Sequence, residues 1–195
     1  MKDLIIIGAG GFGREVSWLV ENINAQNTIW NLLGFVDDDQ SVQGQVLDDY
    51  PVLGGMDWLC GYSKEVSIVC SIAKSSIREK IISKCRTNEH ISFATLIDPH
   101  AIVGKNIQIG EGCIVCAGTI ITIDAAIKQF STVNLSCTIG HDAVLEEYTT
   151  LYPTVNVSGH VTIGKGTEIG TGSQIIQGLS IGEDTVVGAG SVVIK

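Results

Sequence analysis

The sequence predicts an α/β unit of Rossmann-like type over residues 1–90 followed by a parallel β-solenoid over residues 91–195, and three observations predict it. From Ile97 to Val193 every sixth residue is Ile, Val or Leu without interruption. At the 45% apolar content of the chain, a run of that length arises by chance about once in a million phases, so the beat is an internal repeat. Near the other end, an apolar run ends in a glycine-rich turn that opens an amphipathic helical pattern. Between these two regions the hydrophobic period changes from that of a helix to six, which neither a sandwich nor a helical bundle shows.

The N-terminal elements follow in order. Asp3 to Gly8, "DLIIIG", is a continuous apolar run of the kind that forms a buried parallel strand. Gly8-Ala9-Gly10-Gly11-Phe12-Gly13 follows, and then Val16, Leu19, Val20 and Ile23 fall on one helical face. The glycines therefore sit at a strand-to-helix turn, where free amides can face a phosphate and missing side chains let it approach. A second strand, "LLGFVDDD", ends in Asp37, Asp38 and Asp39, acids placed either to take part of a nucleotide or to cap the next turn. "PVLGGMDWL" supplies a third short element with Gly54 and Gly55. "VSIVCSIA" reads as a fourth strand, "SSIREKIISKC" as a helix, and "HISFATLI" as a strand connecting to the first coil. This is roughly half of a full dinucleotide domain.

In the solenoid, the position two before each large aliphatic is mostly small or β-branched, as at Ala101, Cys113, Ser131, Cys137 and Ala143. The position just after is often glycine, as at Gly104, Gly140 and Gly164, and is expected to form the tight corner. Three such sides close a triangular coil of eighteen residues. His141 stands at a corner, Gly159 lies eighteen residues later and so directly above it, and His160 shares its edge.

Composition sets limits. The net charge of −9 comes with no basic run, which argues against a nucleic acid or an anionic membrane surface as partner. No leader pattern and no bilayer-length apolar stretch is present, so a cytoplasmic location is expected. The six cysteines are expected as reduced thiols. Cys113-x-x-Cys116 has metal-like spacing, but Cys113 and Cys137 fill small inward slots and no second pair follows, so both read as core filler. The spacings of His100, His141 and His160 supply no evident ligand set, and no metal is expected.

The hexads "IQIGEGCIV", "VTIGKGTEIGTGS" and "IGEDTVVGAGSVV" resemble those of the hexapeptide-repeat acyltransferases, which implies a left-handed coil. "VNLSCTIGHDAVLEEYTTLYPTVNVSGHVTIG", together with "GAGGFGRE" and "FVDDD", is similar to the sialic acid O-acetyltransferase and UDP-4-amino-sugar N-acetyltransferase branch. That resemblance covers essentially the whole chain. It implies an acetyl-CoA-dependent acetyltransferase acting on the amino group of a nucleotide-linked sugar for bacterial surface glycans, built as a homotrimer with the coenzyme between neighbouring solenoids.

Carried over by position, the resemblance implies His141 as general base and Gly159 as the residue whose N–H meets the thioester carbonyl. Asp142 is implied as the acid that orients His141, with Asp124, seventeen residues before the base, a competitor by spacing. It implies Asn134 near the attacked group of the acceptor. Gly11, Phe12 and Gly13 are implied against the nucleotide, with Asp37 and Asp38 near its base or ribose and Gly55 closing the pocket. Along the pantetheine path it implies Thr150, Gly159, Gly170, Thr171, Gly188 and Ala189. Thr150 stands where some members carry a second histidine, and members usually run past this sequence's last residue, Lys195, with a short proline-containing tail. The same base serves a hydroxyl acceptor, so a sugar O-acetyltransferase of the sialic acid type is the alternative. A further one is an NAD-binding module on Gly8, Gly10 and Gly13, against which the half-sized α/β unit counts.

Overall fold

The computed structural model describes all of residues 1–195 and divides them into two compact units: Met1–Ala73 with Ile77–Ala94, and Lys74–Ser76 with Thr95–Lys195.

The first unit is built on a sheet in which β1 (Lys2–Ile7) is central. It pairs in parallel with β2 (Trp30–Val36) on one side and with β5 (Val66–Cys70) on the other. β4 (Tyr50–Gly54) adds in parallel to β2, and β3 (Val46–Leu47) adds antiparallel to β4 as a short edge that the periodicity does not show. β6 (Ile91–Phe93) completes the other edge beside β5. The expected connecting strand is thus two strands, and the solenoid's first one is Leu96–Ile97. Leu4, Ile5 and Ile6 are fully buried, as continuous apolar composition requires of a strand covered on both faces. Helix α1 (Gly11–Gln26) buries Val16, Leu19 and Val20 and begins at Gly10 without a side-chain cap. α2 (Met56–Cys60) and α3 (Ser75–Cys85) follow.

β1 is where the chain order changes direction, β2 being reached through α1 on one side and β5 lying on the other. In open parallel sheets such a switch point leaves a crevice at the carboxyl ends of the strands, where ligands bind.

The second unit is a triangular parallel solenoid. Its first side stacks Leu96–Ile97, Ile114–Val115, Thr132–Val133, Thr150–Leu151, Glu168–Ile169 and Val186–Val187. Its second runs from Ile102–Lys105 through Thr138–Ile139 to Val192–Val193, and its third from Gln108–Ile109 to Ser180–Ile181. Every pairing is parallel and offset by one coil, as in Ile139 beside Ile121 and Val157. The hexad aliphatics and the small residues two before them form one continuous core. Burying each aliphatic contributes about 1.5–3 kcal/mol, which is what makes a coil of two-residue strands stable at all. Val103 is 40% exposed, because the first coil has no coil beneath it.

The corners correct one expectation. From Val103 onward the residue in the left-handed region lies three after the aliphatic, as at Gly112, Gly118 and Gly172, and at many corners it is not glycine at all: Asp124, Phe130, Asp142, Tyr148 and His160 have φ between 53° and 60°. The glycine just after the aliphatic serves close approach instead. At Gly140 a Cβ would lie 2.6 Å from the Gly159 nitrogen of the next coil.

All six cysteines are free. Cys113 is part of the core and its thiol donates to the Lys128 carbonyl at 3.1 Å. Burial pushes the Cys70 and Cys137 thiols up to about 11 and Cys85 up to about 12, so these groups stay protonated and unreactive near neutral pH.

Candidate active site

The corner that follows the second side carries the residues with the clearest chemistry. Its left-handed positions form a column from Asn106 through Asp124 and Asp142 to His160, one per coil. Backbone bonds between coils fix the ladder: Asp142 N–H donates to the Ile123 carbonyl at 3.2 Å and His160 N–H to the His141 carbonyl at 2.9 Å. Asp and His tolerate the left-handed conformation better than most side chains, which is why this column is built from them.

On that ladder His141 Nδ1 lies 2.8 Å from Asp142 Oδ2. An ionised carboxylate only accepts hydrogen bonds, so Nδ1 carries the proton and Nε2 is left with its lone pair. Both side chains are 46% exposed. An ion pair that open contributes about 0–1 kcal/mol to stability, so its consequence is the tautomer and aim of the ring. Asp124, the competitor by spacing, instead accepts from Asn106 Nδ2 at 2.9 Å.

Gly159 packs directly over the imidazole. A Cβ built there would lie 2.5 Å from His141 Nε2 and 2.6 Å from Cε1, so the ring occupies the space that any side chain at 159 would need. The Gly159 carbonyl accepts from Gly178 N–H at 3.0 Å, while its own N–H has no acceptor in the chain. A basic nitrogen and an unpaired amide therefore stand one coil apart on one edge.

In the first unit, the glycine turn is tied to the end of β2. Asp37 accepts from Ala9 N–H at 2.8 Å and from Asp39 N–H at 2.9 Å, and Asp38 accepts from Met56 N–H, at the start of α2, at 2.7 Å. Gly55 packs on Asp38, where a Cβ would lie 2.8 Å from Oδ1. Gly13 is needed for packing, because a Cβ there would overlap the Gly8 carbonyl. Gly11 faces open space, and Phe12 beside it is half-buried. A cavity of about 370 Å³ opens here, lined by Gly11, Arg14, Glu15, Trp18 and Asp48. Arg14, which the glycine pattern did not single out, sets a cation in the first turn of α1, 3.6 Å from Asp48.

Comparisons with known proteins agree with this architecture. Residues 3–85 match the model of the PglD N-terminal domain, residues 160–195 that of the bacterial transferase hexapeptide, and residues 101–122 that of the hexapeptide repeat of succinyl-transferase. The chain is 28% identical to the acetyltransferase domain of PglB from Neisseria gonorrhoeae FA1090, covering 100% of this chain and 92% of that one at a TM-score of 0.90. It is 30% identical to PerB from Caulobacter crescentus in complex with CoA and GDP-perosamine, covering 100% and 90% at a TM-score of 0.85. The chain belongs to the hexapeptide-repeat sugar acetyltransferases. Its solenoid is accordingly a left-handed parallel β-helix. A histidine-to-asparagine mutant of the Caulobacter enzyme also forms a complex with CoA and GDP-perosamine. Over 127 residues the chain is 32% identical to UDP-N-acetylbacillosamine N-acetyltransferase of Bacillus subtilis (strain 168); the match takes in 60% of this chain, and the chain spans about half (52%) of that relative.

Within this acetyltransferase fold the remaining candidates separate. Asn134, Gly170, Thr171, Gly188 and Ala189 lie at the corner that follows the first side, one side of the triangle away from His141. Asn134 is buried at 8% and its side-chain oxygen accepts from Leu135 N–H at 2.7 Å, so in a single chain it does not approach the imidazole. Thr171, Gly188 and Ala189 are exposed. Thr150 is 1% exposed. His160, placed by spacing on the same edge as His141, proves to share its carboxylate, with Nε2 3.6 Å from Asp142 Oδ2.

Proposed function

We propose that the chain transfers the acetyl group of acetyl-CoA to the amino group of a nucleotide-linked sugar, in the cytoplasm, toward bacterial surface glycans. The observation that carries this reading is the Gly159 backbone packed against the ring of a histidine whose Nδ1 is held by a carboxylate. The acceptor nitrogen attacks the thioester carbonyl carbon while His141 Nε2 takes its proton. The Gly159 N–H donates to the oxygen as it becomes an oxyanion. When the C–S bond breaks, CoA leaves as thiolate and receives the proton from the imidazolium. Asp142 keeps the ring in the competent tautomer and offsets its positive charge while it holds that proton.

The glycine turn, the uncapped start of α1 and Arg14 supply donors for a diphosphate, with the open face at Gly11 as the approach. Asp37 and Asp38 are used by the protein's own amides, so they brace the glycine turn and the start of α2. The same bonds weigh against the NAD reading, which needs a free acid for the ribose.

The two groups of solenoid residues support a homotrimer. Gly170, Thr171, Gly188 and Ala189 stand on one corner and His141 with Gly159 on another, so a groove lined by both sets forms between two solenoids lying side by side. Amino rather than hydroxyl acceptors are favoured by the relatives, which are named as N-acetyltransferases.

The test is release of CoA from acetyl-CoA with a panel of UDP-, GDP- and CMP-linked amino sugars and free sialic acid. Turnover is expected with one of the amino sugar nucleotides and none with sialic acid; acetylation of sialic acid alone would reverse the choice of acceptor.

A further inference from the structure

The corner that holds His141 brings together a donor set that residue spacing did not reveal. His141, Asp142 and His160 each offer one ligand atom, and these atoms all lie within 4.8 Å of one another. Asp142 Oδ2 is 2.8 Å from His141 Nδ1 and 3.6 Å from His160 Nε2. The two imidazoles meet edge to face with centroids 4.9 Å apart. Beneath them the backbone is held by the inter-coil bond from His160 N–H to the His141 carbonyl, so the three side chains start from fixed points.

Two imidazoles and one carboxylate are ligands for the borderline first-row ions. Tetrahedral zinc with bonds of about 2.0–2.1 Å holds its ligand atoms roughly 3.3 Å apart. The observed separations bracket that value, and the three side chains are exposed enough to close the difference by small rotations.

We propose that this corner binds one divalent ion of the nickel–copper–zinc class per chain, through His141 Nδ1, Asp142 Oδ2 and His160 Nε2, and that the bound ion silences His141 as a base. A neutral imidazole carries a single proton. With Asp142 accepting from Nδ1–H, that proton leaves Nε2 free to act. An ion on Nδ1 takes the proton's place there, the proton moves to Nε2, and the ring keeps no lone pair for the acceptor amine. Only a proton's position on the ring changes, and the backbone stays as it is. The silencing rests on the reading of His141 as the base; the binding does not.

The experiment pairs equilibrium dialysis of the full chain against zinc with acetyl transfer measured as zinc is added and then removed by a chelator. One zinc per chain and chelator-reversible loss of turnover are expected. His160→Asn removes one ligand from a residue outside the transfer step. Measured against that variant's own metal-free turnover, both zinc binding and inhibition are expected to weaken by about tenfold or more. A wild-type chain that retains no zinc, or a His160→Asn chain that binds zinc as the wild type does, overturns the site and leaves the base reading intact. Zinc bound with turnover undisturbed overturns the silencing and points to a base other than His141.

Discussion

Replacing His141 by asparagine is expected to lower kcat about 100- to 10,000-fold, the range that a positioned general base contributes. Asparagine fills part of the same volume and its amide can still donate to Asp142, so the carboxylate is not stranded. It has no basic nitrogen to take the acceptor's proton. The side chain is nearly half exposed and lies outside the apolar core, so the melting temperature should hold. The measurement is steady-state kinetics at saturating acetyl-CoA beside a thermal melt. A fall in kcat with little change in KM for acetyl-CoA marks a group that acts in the transition state. Turnover within a few-fold of wild type would remove His141 from the chemistry.

Gly159→Ala should cost about 100-fold by a different route. The new Cβ would lie 2.5 Å from His141 Nε2, so the ring must move by about 1 Å to reach ordinary contact, and a displacement of that size at a reacting group costs on the order of 100-fold. Gly159 is not in the left-handed region, so alanine adds no backbone strain there, and the atoms in its way belong to an exposed side chain that can turn aside. Stability should therefore survive while kcat falls. Gly140→Ala is the contrast. Its Cβ would meet the backbone nitrogen of Gly159 at 2.6 Å, which cannot turn aside, so that variant should lose stability together with activity. Equal stability losses in the two variants would mean that Gly159 serves only the coil.

The parts of this molecule that repeat were open to arithmetic. A beat of six with aliphatics at Ile121, Val133 and Ile139 sets the side of a triangle, and the multiple of eighteen that joins His141 to Gly159 places one above the other before any coordinate is known. What counting did not supply was the direction of side chains and backbone. The glycine after each aliphatic looked like the residue that turns the corner, but close approach between coils accounts for Gly140, and the turn is made three residues on by Asp142 or His160. Spacing alone left Asp142 and Asp124 level as partners of His141; only geometry gives Asp124 to Asn106.

The first unit was legible where its strands are continuously apolar, as at Leu4 to Ile7. It was less so at β3, whose two residues carry no period. The acids after Val36 illustrate a wider point: an acid at a strand end is equally well placed for a ligand and for the protein's own amides, and Asp37 and Asp38 are held by the latter. Thr150 was placed by a match of position, which carries no information on burial, and it is 1% exposed. Asn134 and the glycines at 170 and 188 were assigned to a site with His141, yet stand at another corner of the coil. Under the proposed trimer these residues meet only across neighbouring solenoids, and single-chain periodicity does not report such a meeting.

The most direct measurement is a structure of the chain with CoA and a nucleotide-linked amino sugar. The account predicts the CoA sulfur and the sugar nitrogen against the corner formed by His141 and Gly159, with the nitrogen within about 3 Å of Nε2 as a reacting pair requires. A CoA sulfur resting at any other edge of the triangle, with Nε2 facing only water, would contradict it.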